Sequence, residues 1–169
     1  MDQQLQDAIN RQINNEFAAS YYYLAMSTYL DGMHLPGIAS WMATQSDEER
    51  AHGQRLLQFL LDRGGEVELQ AIAKPPKTFG TVHEVFEKAL ETERQTTSDI
   101  YEVYALARDK NDYATLAHLQ WFIDEQVEEE KTVGDILGRL QLAGDEKTAL
   151  LVIDDQLGKR PAAEPAPGE

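Results

Sequence analysis

The sequence predicts an all-α fold, a four-helix bundle that is followed by a short fifth helix. Four segments of about 30 residues each carry apolar residues at the 3.6-residue spacing of an amphipathic helix. No segment shows the alternation of apolar and polar residues that is typical of a strand. Four long helices, each with one apolar stripe, bury those stripes by packing against one another, so a bundle is the expected architecture.

The first two helices are predicted over residues 5–31 and 37–63. The apolar stripe of the first helix consists of Leu5, Ile9, Ile13, Phe17, Leu24 and Leu30. Asp31 and Gly32 end this helix, and Pro36 suits the start of the next one, because the first helical turn needs no N–H from that residue. A turn this short makes the two helices antiparallel.

A long connection, residues 64–81, separates the second helix from the third. It has no periodic pattern and contains Lys74-Pro75-Pro76-Lys77. An extended chain of about 18 residues spans about 59 Å, whereas a helix of about 27 residues is about 40 Å long. The connection can therefore cross the whole bundle, which allows the second and third helices to run parallel.

The remaining helices are predicted over residues 82–109, 113–142 and 146–157. A turn at residues 109–112 makes the third and fourth helices antiparallel, and Gly144 ends the fourth. The apolar face of the fifth helix is expected to seek a partner, because a four-helix core leaves no room for it. From Lys159 the chain is rich in proline and alanine, so we divide it into a folded domain, residues 1–158, and a disordered tail, residues 159–169.

The strongly acidic composition narrows the possible partners and the type of site. The 169 residues include 15 Lys and Arg against 30 Asp and Glu, a net charge of -15. This charge argues against nucleic acid or an anionic membrane as a partner, since both bind cationic surfaces. The absence of cysteine excludes disulfides and thiolate metal sites. No apolar run approaches the ~18 residues of a membrane span, and the N-terminus shows no secretory signal, so a cytoplasmic protein is expected.

The apolar stripe of the second helix becomes polar halfway along its length. Gln45, Glu49 and His52 occupy the inward positions there. Glu49 and His52 are three residues apart, so their side chains point the same way and could form part of a metal site. A Glu-x-x-His pair alone is common by chance on exposed helices, and the other helices decide between these interpretations.

Each of the other long helices also places a carboxylate at this level of the bundle, namely Glu16, Glu93 and Glu129. Buried carboxylates need a counter-charge, and no Lys or Arg occupies an inward mid-helix position. Divalent cations would supply it, and carboxylates with one imidazole favour first-row metals such as iron. The expected arrangement is two metals bridged by Glu49. Glu16 and His52 complete the first site. Glu93 and Glu129 complete the second.

Tyr23 lies two turns after Glu16 on the same face of the first helix. Its hydroxyl could donate a hydrogen bond to the carboxylates, or Tyr23 could be an ordinary buried tyrosine. Both interpretations are open at this point.

This set of residues resembles the ferritins, in their haem-free bacterial form, over residues 1 to about 158. The matching positions are Glu16 and Tyr23, Glu49-Arg50-Ala51-His52, Glu93, and Glu125-Gln126-Val127-Glu128-Glu129. The resemblance implies a homo-oligomeric cage of 24 subunits around a hollow core. It also implies oxidation of Fe(II) by O2 or H2O2 at a diiron centre, followed by storage as a ferric mineral.

The resemblance also implies a role for each candidate ligand. The first iron would be held by Glu16, Glu49 and His52. The second would be held by Glu49, Glu93 and Glu129, with Gln126 beside it. A third iron would lie at Glu48, Glu125 and Glu128, with Glu129 shared between this site and the centre. The alternative for the third group is three solvated acids on an acidic protein.

Differences from related families argue against haem binding and against two other functions. Bacterioferritin repeats Glu-x-x-His on its fourth helix and binds haem through a methionine directly after the bridging glutamate. Here Arg50 follows Glu49, and neither Glu125 nor Gln126 is followed by a histidine three residues later, so no haem is expected. One alternative is a passive iron-binding cage, against which the complete ligand set argues. Another is a diiron oxygenase, for which a second histidine would be expected.

Overall fold

Five α-helices and no strand make up residues 1–160, the part of the chain that the computed structural model describes. The helices are α1 (Gln3–Asp31), α2 (Pro36–Asp62), α3 (Val82–Asp109), α4 (Tyr113–Ala143) and α5 (Lys147–Leu157). The predicted helices are confirmed, with each end within two residues of its predicted position. Residues 161–169, which belong to the predicted tail, lie outside the described residues.

The ends of the helices show the topology. At one end of the bundle the Tyr29 hydroxyl, near the end of α1, donates a 2.7 Å hydrogen bond to the carbonyl of Gly80, just before α3. At the other end Lys110, which follows α3, lies 3.0 Å from Asp2, which precedes α1. Helices α1 and α3 are therefore antiparallel. Because α1 and α2 are joined by a short turn and are also antiparallel, α2 and α3 run parallel, and the predicted long crossover is confirmed.

The crossover follows α1 through hydrogen bonds from two asparagine side chains, which we call the amide ladder. Asn10 donates to the carbonyl of Glu66 (2.8 Å) and accepts from the N–H of Glu68 (2.9 Å). Asn14 donates to the carbonyl of Glu68 (2.8 Å) and accepts from the N–H of Gln70 (2.7 Å). The two asparagines are four helical residues apart, a rise of about 6 Å, and the backbone groups that they bind are spaced every two residues of extended chain, about 6.6 Å. The two spacings match, so successive asparagines can bind successive pairs of backbone groups.

Helix α5 packs against the N-terminal end of α2. Leu35, the residue before α2, makes no side-chain cap, and buried Asp154 of α5 accepts a 2.8 Å hydrogen bond from the N–H of Ile38 instead. This contact satisfies one of the free N–H groups that every helix start leaves. Gly37 permits the approach, since a Cβ there would lie 1.9 Å from the backbone oxygen of Asp154.

The fifth helix has one apolar face in the core and another exposed. Ile153 and Leu157 are buried and join the core, which contradicts the expectation that a four-helix core has no room for this helix. Leu151 and Val152 are 59% and 51% exposed. Only this second part of the apolar face is left for a partner.

The bundle core consists of two apolar clusters with a polar layer between them. One cluster contains Met26 and Phe86 and lies at the α5 end. The other contains Ile13 and Ile100 and lies at the opposite end. The expected inward position of Leu24 is wrong, because that residue is 46% exposed. It follows buried Tyr23 by one residue and is therefore turned about 100° away from the core.

None of the helices within residues 1–160 is both long enough and apolar enough to cross a membrane.

Candidate metal centre

The polar layer contains a compact triad from α1 and α2. One ligand atom each from Glu16, Glu49 and His52 lie within 4.8 Å of one another, and all three residues are buried. Nδ1 of His52 lies 3.2 Å from Oε2 of Glu49. Among residues 1–160 this is the one group of three carboxylate or imidazole side chains with such metal-binding spacing. The three-residue interval between Glu49 and His52 produces it by placing both side chains on one face of α2.

Helices α3 and α4 supply the other side of the layer. Glu93 on α3 is fully buried, and its carboxylate accepts a 3.3 Å hydrogen bond from the side chain of Gln126 on α4. The Tyr23 hydroxyl of α1 also donates to Glu93. Glu129, one turn after Gln126, is buried as well. The structure thus brings together the seven side chains that the sequence suggested for the centre.

Two glutamines support the carboxylates, and sequence reasoning assigned a role to neither. The side chain of Gln12 donates to Oε1 of Glu16 (2.8 Å), and that of Gln45 donates to Oε2 of Glu129 (2.9 Å). Gln12 precedes Glu16 by four residues, so a search for amides one turn before each acid could have found it. Gln45 was recognised as inward, but its partner on α4 could not be deduced from spacing along one helix.

Two aromatic rings pack edge to face against the imidazole of His52. The Trp121 and Phe122 rings lie 5.4 Å and 6.0 Å from the ring of His52, both edge to face. The guanidinium of Arg55 lies 4.2 Å from the Trp121 ring centre. These contacts fix the imidazole plane and exclude water from that side of the triad.

The layer holds four buried carboxylates without a buried cation from Lys or Arg among residues 1–160. Burial, and then the charge of Glu49, raises the pKa of Glu16 well above its ordinary value. Burial, and then the charge of Glu93, does the same to the pKa of Glu49. Mainly through burial, the pKa of Glu93 rises to about 6 and that of Glu129 to about 7. A divalent cation would reverse these shifts by favouring the ionised carboxylates.

Two carboxylate oxygens in the triad are available to a metal ion. Oε2 of Glu16 and Oε1 of Glu49 are buried and have no hydrogen-bond donor. An unpaired buried oxygen of this kind is costly, and a bound cation removes the cost. Carboxylates with a single imidazole are the donor set that favours iron and similar first-row metals over calcium or a zinc thiolate site.

In the metal-free protein, we expect the free energy of unfolding to fall as the pH rises from 6 to 8. A carboxyl whose pKa is raised on folding stabilises the protein below its unfolded pKa of 4.5, and this stability is lost as the pH rises through the folded pKa, about 7 for Glu129 and about 6 for Glu93. The expected loss is on the order of 1 to 2 kcal/mol, measured by denaturant unfolding. Glu129→Gln should remove most of it. A stability that rises over this interval would contradict the assignment.

The third group of predicted ligands is arranged differently. Both oxygens of Glu48 accept hydrogen bonds from Arg160, at 2.9 Å and 2.8 Å. Glu125 is half-buried and near enough for its charge to contribute to the raised pKa of Glu48, whose first cause is burial. Glu128 is exposed. The three do not show the metal-binding spacing of the triad, and Arg160, which the sequence placed in the tail, is the partner that spacing could not reveal.

Comparisons with known proteins agree with this architecture. The family model of the ferritin-like domain matches residues 6–143. A bacterial non-heme ferritin of Staphylococcus aureus strain USA300 is 36% identical over 160 residues, which cover 95% of this chain and 96% of that protein. An open pore ferritin of the archaeon Archaeoglobus fulgidus superposes with a TM-score of 0.94 at 38% identity, over 95% of this chain and 99% of the other. A humanized archaeal ferritin gives a TM-score of 0.95 at 38% identity, over 97% and 99% of the two chains.

Proposed function

The chain belongs to the ferritin family, which supports a role in iron storage, and on that premise we propose that it is a ferroxidase. Its substrates are Fe(II) and either O2 or H2O2, and its product is a ferric mineral. The mineral is stored inside a cage of 24 copies of the chain, in the cytoplasm. No haem takes part in the proposed reaction.

The observation that carries this proposal is the buried triad of Glu16, Glu49 and His52. Its ligand atoms lie within 4.8 Å of one another, and two of its carboxylate oxygens have no donor. A passive structural cluster would be expected to satisfy those oxygens with hydrogen bonds. Fe(II) is the cation that the donor set and the family together favour.

The residues divide into two positions for the Fe(II) substrate. Glu16, Glu49 and His52 bind one ion. Glu49, Glu93 and Glu129 bind the other, with Gln126 beside it, so that Glu49 is shared. Two Fe(II) ions give up one electron each, which with two protons converts O2 to H2O2, or H2O2 to two water molecules. Holding both ions on one carboxylate lets the two electrons leave together.

Tyr23 and the two glutamines have a positioning role in this proposal. Tyr23 fixes one oxygen of Glu93, and Gln12 fixes one oxygen of Glu16. The contact from Gln12 leaves Oε2 of Glu16 without a donor and free for a metal ion, whereas Oε2 of Glu93 also accepts a 3.3 Å hydrogen bond from Gln126. Ligands that are held in place before the metal binds need little rearrangement afterwards.

A third position for iron at Glu48, Glu125 and Glu128, with Glu129 shared, is part of the proposal. The support is the closeness of Glu125 to Glu48 and the link from Glu129 through Gln45 towards that edge. The alternative, three solvated acids, is favoured by the exposure of Glu128. Metal counting on the full chain separates the two.

Exposed apolar side chains support the assembly. Leu24 on α1, Val127 and Leu142 on α4, and Leu151 on α5 are between 46% and 90% exposed in the single chain. Apolar residues exposed on several faces are typical of a protein that buries them against other copies. A closed cage buries such faces on every subunit.

The test has two measurements. The first is O2 uptake when anaerobic Fe(II) is added to the protein in aerated buffer, and the second is the particle mass. We expect rapid uptake with two Fe(II) consumed per O2 in the first turnover. We expect a mass of about 460 kDa for 24 copies of a 19.1 kDa chain. Slow uptake at the rate of free Fe(II), with the full mass, would favour the second candidate, a passive cage. A 19.1 kDa monomer would exclude the cage that both candidates assume.

A further inference from the structure

Arg160, which follows α5, reaches back to the side of α2 that carries the metal ligands. Its guanidinium donates to both oxygens of Glu48, at 2.9 Å and 2.8 Å, and to Oε1 of Gln45. It also lies over the Trp41 ring, 5.2 Å from the ring centre. The Arg160 and Glu48 side chains are only 26% and 18% exposed. Nη2 makes both contacts to Glu48 and Nη1 makes the contact to Gln45. At this degree of burial the ion pair is stronger than an ordinary surface ion pair.

The contact also determines which way the Gln45 amide faces. A guanidinium can only donate, so the atom of Gln45 that it meets must be the oxygen. The amide nitrogen then points the other way and donates to Oε2 of Glu129 at 2.9 Å. Arg160 is thus connected through one side chain to a carboxylate of the proposed diiron centre.

The positive charge of Arg160 lies at Glu48, where a bound metal ion would otherwise balance the charge of the carboxylates. Glu48 lies next to Glu49 in sequence, and the charges of both Arg160 and Glu125 act on its carboxylate. A guanidinium and a divalent cation on the same carboxylate repel each other, and Nη2 of Arg160 already contacts both oxygens of Glu48. One must move away before the other binds with full strength.

We propose that Arg160 is a built-in cation that competes with a divalent metal ion for Glu48. The third iron then binds only after the guanidinium has left Glu48. The third position itself rests on the proposed function, whereas the contact between Arg160 and Glu48 does not. Arg160 is a positioning residue in this scheme, because it contacts ligand side chains and not the reacting ions.

The experiment is a calorimetric titration of the full-length, metal-free cage with Zn2+, a redox-inactive probe. For the wild-type protein we expect two tightly bound ions per subunit and a weaker third. For Arg160→Gln we expect the affinity for the third ion to rise on the order of ten- to a hundredfold, the range that the loss of a charge-assisted contact corresponds to. The affinities for the first two ions should change little.

Two further variants make the result specific. Lys159→Gln removes the neighbouring positive charge, which pairs with Asp155 and not with Glu48, so it should change the third affinity less than about twofold. In a Glu48→Gln background, Arg160→Gln should have no effect, because the shared partner is gone.

The outcomes separate this inference from the proposed function. Two tight ions with the same third affinity in the wild type and Arg160→Gln would overturn the role of Arg160 and leave the ferroxidase proposal standing. An equal gain from Lys159→Gln would also overturn it, since the effect would then be general charge. Failure to bind even two ions tightly would overturn the proposed function and this inference with it.

Discussion

Glu49→Gln is expected to lower the initial rate of Fe(II) oxidation by roughly a hundredfold or more. Glu49 is the carboxylate shared by both proposed positions, and its Oε1 is one of the two buried oxygens without a donor. Glutamine keeps the volume but removes the charge and one lone-pair ligand. Neither Fe(II) ion would then be held beside the other. Stopped-flow absorbance of the ferric product, at two Fe(II) per subunit, measures the rate.

We expect the Glu49→Gln variant to fold. The loss of oxidation rate can then be assigned to the missing ligand and not to unfolding. In the metal-free layer burial, and then the charges of Glu93 and Glu129, raise the pKa of Glu49. A neutral residue there relieves that repulsion, and the unfolding midpoint of the metal-free variant should not fall. Asp47→Asn is the matched control, because Asp47 is an exposed acid on the same helix. A wild-type rate for Glu49→Gln would show that the centre lies elsewhere.

Gly37→Ala is expected to detach α5 and to lower the free energy of unfolding by on the order of 2 to 4 kcal/mol. The added Cβ would lie 1.9 Å from the backbone oxygen of Asp154, so the helix has to move. Movement breaks the hydrogen bond from Ile38 to Asp154 and exposes Ile153 and Leu157. Hydrogen exchange of the α5 amides and the thermal midpoint measure the effect, and sedimentation shows whether the cage still forms.

Gly138→Ala is the control for this prediction. Gly138 lies inside α4, and a Cβ there has no atom within 4 Å. Alanine should therefore stabilise the helix by about 0.5 to 1 kcal/mol, the usual gain over glycine. Protection of the α5 amides at the wild-type level in Gly37→Ala would contradict the docking described above.

The helices and the polar layer could be predicted because each depends on spacing within one helix. The start of α3, for example, is marked locally: Thr81 and Glu84 form a capping box. Likewise Glu49 and His52 face one way because three residues separate them. Four such local patterns at one height were enough to place the carboxylates together.

Contacts across helices could not be predicted in the same way. Asp154 meets Ile38, 116 residues away, only because α5 turns back over the end of α2. Arg160 reaches Glu48 for the same reason. The burial of Leu24 was misjudged because several apolar residues of α1 crowd one region, and periodicity alone does not decide which of two neighbours faces inward.

The amide ladder has a consequence for how this sequence can change over evolutionary time. The two asparagines bind backbone groups of the crossover and not its side chains. The path of the crossover is therefore determined by residues of α1. Proline is excluded at Glu66, Glu68 and Gln70, because their N–H groups donate to α1 side chains, whereas other residues can replace the exposed side chains of this segment. Substitution of Asn10 or Asn14 therefore affects the course of the crossover more than substitution within the crossover itself.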